Sequence, residues 1–212
     1  MSTAIGTERE RLLAAMLEEL VEKGYPEVEV AAAIRRARLE GEGWSSLYPD
    51  KDACLVAAFD ELTEQLRIAI GEGCAAGHDW PSRVAGGLAV LLARLSERAA
   101  MAEALARSFP AIGPPAQAHY QAFVESLAPL LAEGRQFSGM ADELPATVEL
   151  LAVGAGEAIV FEQIQAGRTT ELAALGPEIL FSVLVPFVGA AEAAAGMERA
   201  RAVNEAGGSG AG

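Results

Sequence analysis

The chain has 212 residues, 51% of them hydrophobic but only 6% aromatic, so it can bury a substantial core made mainly of Ala, Leu and Val, a composition that leans all-α. Its formal net charge of −14 at pH 7 argues against broad nonspecific affinity for nucleic acid, which needs Lys and Arg against phosphate. No run reaches the roughly 18 apolar residues of a membrane span, the opening residues lack a signal-peptide apolar core, and Cys54 and Cys74 offer no disulfide framework, so no membrane and a reducing cytoplasm are expected.

In chain order, the first predicted helix runs from about Glu8 to Lys23. Leu12, Leu13, Met16, Leu17 and Leu20 form one apolar stripe, with Glu18, Glu19 and Glu22 largely on the other side. Gly24 stops it and Pro26 prevents its resumption. A second helix covers about Val30 to Ala37, with Val30, Ala33, Ile34 and Ala37 inward and Arg35 and Arg36 projecting outward. A third, short helix is expected from about Glu40 to Leu47, ended by Pro49. Asp50 then caps a long fourth helix from Lys51, with Leu55, Phe59, Leu62 and Leu66 as its stripe. Gly71, Gly73 and Gly77 are expected to fray its end.

Five more helices follow: Trp80 to about Arg98, Ala100 to Phe109, Ala116 to about Glu133, Leu144 to about Ala166 and Gly176 to about Ala195. No alternating strand pattern is evident. The expected architecture is all-α: a helix-turn-helix head over 1–50, a connecting helix over 51–77, a larger helical domain over 78–196 and a Gly-rich flexible tail over 197–212.

Gly24-Tyr25, the apolar Val30 and Ala37, Leu39 after the turn, Trp44, Leu47-Tyr48-Pro49 and Lys51-Asp52-Ala53 together resemble the TetR family of transcriptional regulators. An aromatic-x-x-x-aromatic-Pro-x-Lys run about twenty residues after Gly-Tyr is the most specific mark. Trp80-Pro81 and Leu144-Pro145 are weaker ones. The resemblance implies a three-helix DNA reader, a connecting helix and a C-terminal domain that binds a small ligand and dimerises. It implies DNA contacts among Arg35, Arg36, Arg38, Trp44, Ser45, Ser46, Tyr48 and Lys51, on a double-stranded and roughly palindromic operator, with ligand-relieved repression as the output.

The head departs from the family pattern where DNA contact is expected. Arg38 stands where a glycine is usual in the interhelix turn, Glu40 where a small polar cap is usual, and Ser45 where a tyrosine is usual. Gly41 and Gly43 loosen the third helix by roughly 2 kcal/mol. Seven positive and ten negative side chains occupy the first 51 residues. Two readings therefore stand at this point: a ligand-responsive regulator, or a ligand-binding dimer whose DNA function is lost.

The predicted helices over 144–166 and 176–195 are apolar on more than one face and must be buried by something. A homodimer bundle is expected, with Leu151, Ala152, Gly156, Ile159, Leu180, Val183, Leu184 and Phe187 in the interface. Candidate pocket residues are Leu88, Leu92, Met101, Leu105, Phe109, His119, Tyr120, Phe123, Leu127 and Phe161. With no basic cluster among them, the expected ligand is hydrophobic or weakly polar. His78 and His119 are far apart and lack Cys or carboxylates at ligand spacing. No metal, no cofactor and no catalytic constellation is expected.

Overall fold

The structure, a computed structural model, describes residues 2–40, 47–139 and 144–208. Among them every regular element is helical. The α-helices are α1 (Ser2–Lys23), α2 (Val30–Arg36), α3 (Lys51–Ala75), α4 (Trp80–Glu97), α5 (Ala99–Ile112), α6 (Pro114–Ser126), α7 (Val148–Gln165) and α8 (Gly176–Gly208). Tighter 3₁₀ segments cover Tyr25–Glu27, Ala128–Phe137 and Thr169–Leu175. The chain divides into two compact units, one of residues 1–65 with 100–121 and one of 66–99 with 122–212.

The first unit is built on the α1 stripe. Leu12, Leu13, Met16, Leu17 and Leu20 are all buried, as are Val28, Ala32, Ala33 and Ala37 around α2 and Cys54, Leu55 and Ala58 on α3. Gly24 leaves α1 at φ 75° and ψ 163°, dihedrals that favour glycine. Asp50 caps α3 by accepting from the Ala53 amide at 2.8 Å. The third helix expected over Glu40 to Leu47 falls on residues 41–46, outside the described residues.

α2 ends in a Schellman closure. The Leu39 amide donates to the Ile34 carbonyl (3.2 Å) and the Arg38 amide to the Arg35 carbonyl (3.1 Å). Arg38 takes the left-handed position at φ 52°, where a Cβ costs roughly 1–2 kcal/mol. Arg38→Gly relieves that strain but frees the unfolded chain. The expected net gain is about 0.5–1 kcal/mol, an upward shift of roughly 2 °C in a thermal melt.

In the second unit, α4 opens on a reciprocal capping box. Asp79 Oδ1 accepts from the Ser82 amide (2.8 Å), and the Asp79 amide donates to Ser82 Oγ (3.1 Å). The box holds the Asp79 carboxyl below its ordinary range through the Ser82 hydroxyl and amide. Trp80, the next residue, is buried between Phe137 (centroids 5.7 Å apart, near-parallel) and Phe187 (5.2 Å, edge-on). Leu92, Leu131, Val148, Ala152, Leu172, Ile179, Leu180, Val183 and Leu184 complete this core.

The structure departs from several sequence expectations. α3 is not frayed by its glycines; it runs through Gly71 and Gly73 to Ala75. Gly73 lies against α4, where a Cβ would sit 2.8 Å from the Gly86 carbonyl oxygen and 2.7 Å from Val90 Cγ2. The helix expected over 116–133 stops at Ser126 and continues as 3₁₀ from Ala128, because Pro129 supplies no amide donor. α5 passes through Pro110 and ends at Gly113, whose φ is 86°. α8 does not end near Ala195 before a loose tail; it is helical to Gly208, with a break at Gly189. The segment 169–202 is long and apolar enough to cross a membrane by length and composition, but the Gly189 break leaves Gly176–Val188 about 20 Å long, short of a bilayer's apolar thickness.

Six of the eight expected dimer-interface positions face the interior of this chain's own fold. Ala152, Leu180, Val183, Leu184 and Phe187 are buried, and a Cβ on Gly156 would sit 3.2 Å from Ile179 Cγ2. The small residues of α7 thus admit this chain's own α8. Ile159 is half-buried. Leu151, 62% exposed, is the outward member of the set.

Candidate nucleic-acid interface

Of the residues that resemble the TetR signature, Tyr25, Lys51 and Asp52 meet in the first unit. The Tyr25 hydroxyl donates to Asp52 Oδ1 at 2.9 Å. Lys51 Nζ lies 4.2 Å from the Tyr25 ring centroid and donates to the Tyr25 carbonyl at 2.8 Å and more weakly to the Pro26 carbonyl at 3.4 Å. The bond to Asp52 and partial burial raise the Tyr25 phenol above its usual range. This clasp fixes the first turn of α3 against the bend that follows α1. Lys51 is therefore anchored to backbone oxygens, which leaves its ammonium reduced capacity for an outside partner.

Tyr48 is half-buried beside Arg9, which also donates to Glu61 at 2.9 Å. Burial pushes the Tyr48 phenol up, with Arg9 acting the other way. Trp44, Ser45 and Ser46, together with Gly41 and Gly43, lie outside the described residues.

Arg36 does not project freely from α2. Its guanidinium reaches across to the acidic side of α1, donating to Glu22 through both terminal nitrogens, to Glu19 Oε1 at 2.9 Å and to Glu18 Oε2 at 3.4 Å. Lys23 Nζ meets the other Glu19 oxygen at 2.5 Å. Lys23, then Arg36, hold the Glu19 carboxyl below its usual range despite its near-complete burial. Glu22 in the same way raises Arg36 beyond its ordinary value. By sequence these carboxylates form a solvated face; the α1–α2 crossing makes them a clamp. Arg35 and Arg38 are exposed and have no partner among the described residues.

The ten candidate pocket positions divide between the units. Met101, Leu105, Phe109, His119 and Tyr120 belong to the first, and Leu88, Leu92, Phe123, Leu127 and Phe161 to the second. In the first unit Phe109 and Tyr120 meet at 5.9 Å. Both also approach Phe59, at 5.0 and 6.5 Å, a residue read from sequence only as part of the α3 stripe. His119 is exposed, with Nδ1 2.7 Å from Asp60 Oδ1. In the second unit Leu92 is part of the core. Cys54 is buried, which pushes its thiol up to about 12 and leaves it unreactive.

No family model and no curated protein matches the sequence. Solved structures do match. The fatty acid degradation regulator FadR from Bacillus halodurans aligns with a TM-score of 0.67 at 16% identity, over 82% of this chain and 96% of that one. A TetR family transcription regulator from Marinobacter aquaeolei VT8 aligns with a TM-score of 0.59 at 20% identity, over 91% of this chain and 98% of that one. Each alignment covers nearly the whole of the matched structure: this chain has the fold of the TetR-family regulators.

Proposed function

We propose that the chain is a TetR-type transcriptional regulator that acts as a dimeric repressor on a palindromic operator and releases it when a small hydrophobic or weakly polar ligand binds the C-terminal helices. The observation that carries this reading is the clasp of Tyr25, Lys51 and Asp52, which assembles the family-like signature residues in a chain of this fold. Arg35 and Arg38, at the end of α2, supply exposed charge for phosphate contacts, and Lys51 adds what its backbone anchoring leaves over. The dimer forms on the outward side of α7, where Leu151 and Leu150 are exposed beside the small residues Gly154, Ala155 and Ala158. The ligand favours the dimer whose heads are wrongly spaced, and weakens DNA binding through its differential affinity for the two states. Since one relative is named a regulator of fatty acid degradation, acyl compounds are the first ligand class to test.

A second reading, a ligand-binding dimer without specific DNA binding, is favoured by one observation: the Arg36 charge is spent on three carboxylates of α1. Fluorescence anisotropy with the DNA upstream of the chain's own gene separates the two. Sequence-preferring binding whose affinity falls linearly with salt on logarithmic axes supports the regulator. Equal binding to operator and scrambled DNA leaves only the second reading.

A further inference from the structure

The last helix is a hairpin of two. Gly189 stands within α8 at φ 77° and ψ 168°, dihedrals open to glycine and closed to residues with a Cβ. Beyond it the chain turns back along Gly176–Val188. Gly196 lies over Leu184, where a Cβ would be 3.0 Å from Leu184 Cδ1. Arg201 Nη2 pairs with Glu178 Oε1 at 2.6 Å. One position rises along the arm as the other falls along the helix, so the two segments are antiparallel.

The inner face of the arm is made of small residues. Ala193 and Gly196 are buried and Ala200 packs on the core. Such a face allows close backbone approach but removes little apolar area from water. The Arg201–Glu178 pair is about half exposed at both ends, and pairs of that kind hold weakly. The arm therefore covers Leu184 through modest contacts, while a single residue sets its direction.

We propose that the arm is an exchangeable strap, with Gly189 as its hinge, and that the partner its inner face fits is the Leu184 face of a second copy of this chain. With residue 189 in helical dihedrals, Gly176–Gly208 becomes one continuous helix about 50 Å long. The arm then leaves its own Leu184 face, and the arm of another copy, carrying the same Ala193, Gly196 and Ala200, takes its place. Every arm contact of the closed form is regained, and the two forms differ in the hinge alone. The inference does not rest on the DNA-binding reading.

The hinge can be tested without a steric clash, because a Cβ at Gly189 meets nothing within 4 Å. In the full chain with Cys54→Ala and Cys74→Ala, Glu178→Cys and Arg201→Cys place thiols at the two ends of the ion pair for a short bis-maleimide. With Gly189 present, the expected product is an internally cross-linked single chain. Gly189→Ala is expected to make the covalent dimer the major product. Gly167→Ala is the matched control, since Gly167 also has positive φ (70°) with open space around it, and it is expected to leave the cross-link internal. Chains carrying only one of the two new thiols identify links that join like positions across any other interface. An internal cross-link that persists in Gly189→Ala, the loss of both products, or a covalent dimer already dominant with Gly189 present overturns the proposal.

Discussion

Gly86→Ala is expected to destabilise the protein by about 3 kcal/mol, a fall of roughly 6–12 °C in a thermal melt for a chain of this size. An ideal Cβ at Gly86 would lie 2.4 Å from the Gly73 carbonyl oxygen. That obstacle is main chain within a helix, so no rotamer change clears it. α3 and α4 must separate, and the contacts around Val90, Ile70 and Gly87 open with them. At the neighbouring Gly87 a Cβ would sit 2.4 Å from Cys74 Sγ, a side-chain atom that a rotamer change can move. Gly71→Ala in the same stretch of α3 meets nothing within 4 Å and is exposed. It is expected to stabilise by about 1 kcal/mol through helix propensity. Opposite signs for two Gly→Ala changes in the two crossing helices check the crossing itself; a destabilised Gly71→Ala or an unaffected Gly86→Ala contradicts it.

The difference between these glycines is not legible in the sequence. Within one helix, Gly71 and Gly73 look alike as helix breakers, and their difference arises only from what crosses them. The α1 stripe, the stop at Gly24 and the cap at Asp50 were legible because each depends on residues within about one helical turn. Arg38 was legible only through the family resemblance, which puts a glycine in that turn. A local Schellman turn demands positive φ, and the residue there carries a Cβ. The Arg36 clamp was not legible, because Glu18, Glu19 and Glu22 form an ordinary polar helix face until α2 is laid across it. The apolar character of α7 and α8 was read correctly as a demand for burial, but much of that demand is met inside the protomer. Gly156 admits α8 to α7, and the turn at Gly189 brings the arm over Leu184. Pro186 and Gly189 were visible as interruptions of an apolar run, yet nothing in a run of residues shows that the chain folds back there.

Replacing Arg35 and Arg38 by Ala together is expected to weaken operator binding about a hundredfold, with the salt slope reduced by about 2. Both side chains are exposed and have no partner among the described residues, so their removal frees no buried carboxylate. Arg38→Ala keeps the Cβ at the left-handed position, and Arg35→Ala keeps a good helix former in α2, so the melting temperature is expected to hold. The loss should fall equally on operator and scrambled duplex, because phosphate contacts position a reader without choosing its sequence. Arg36→Ala is the informative contrast. It releases Glu18, Glu19 and Glu22 from their shared cation, and Glu19 is nearly buried. A depressed carboxyl pKa contributes stability above the group's unfolded value and loses it as pH falls through the folded one. Arg36→Ala should therefore lower the melting temperature at neutral pH, by an amount that shrinks toward acid. If Arg36→Ala instead leaves stability intact while Arg35→Ala with Arg38→Ala leaves DNA affinity intact, the clamp and the contact surface are both misassigned. If only the second result is obtained, the clamp stands and the head has no phosphate contacts at these positions, as a chain without DNA function would behave.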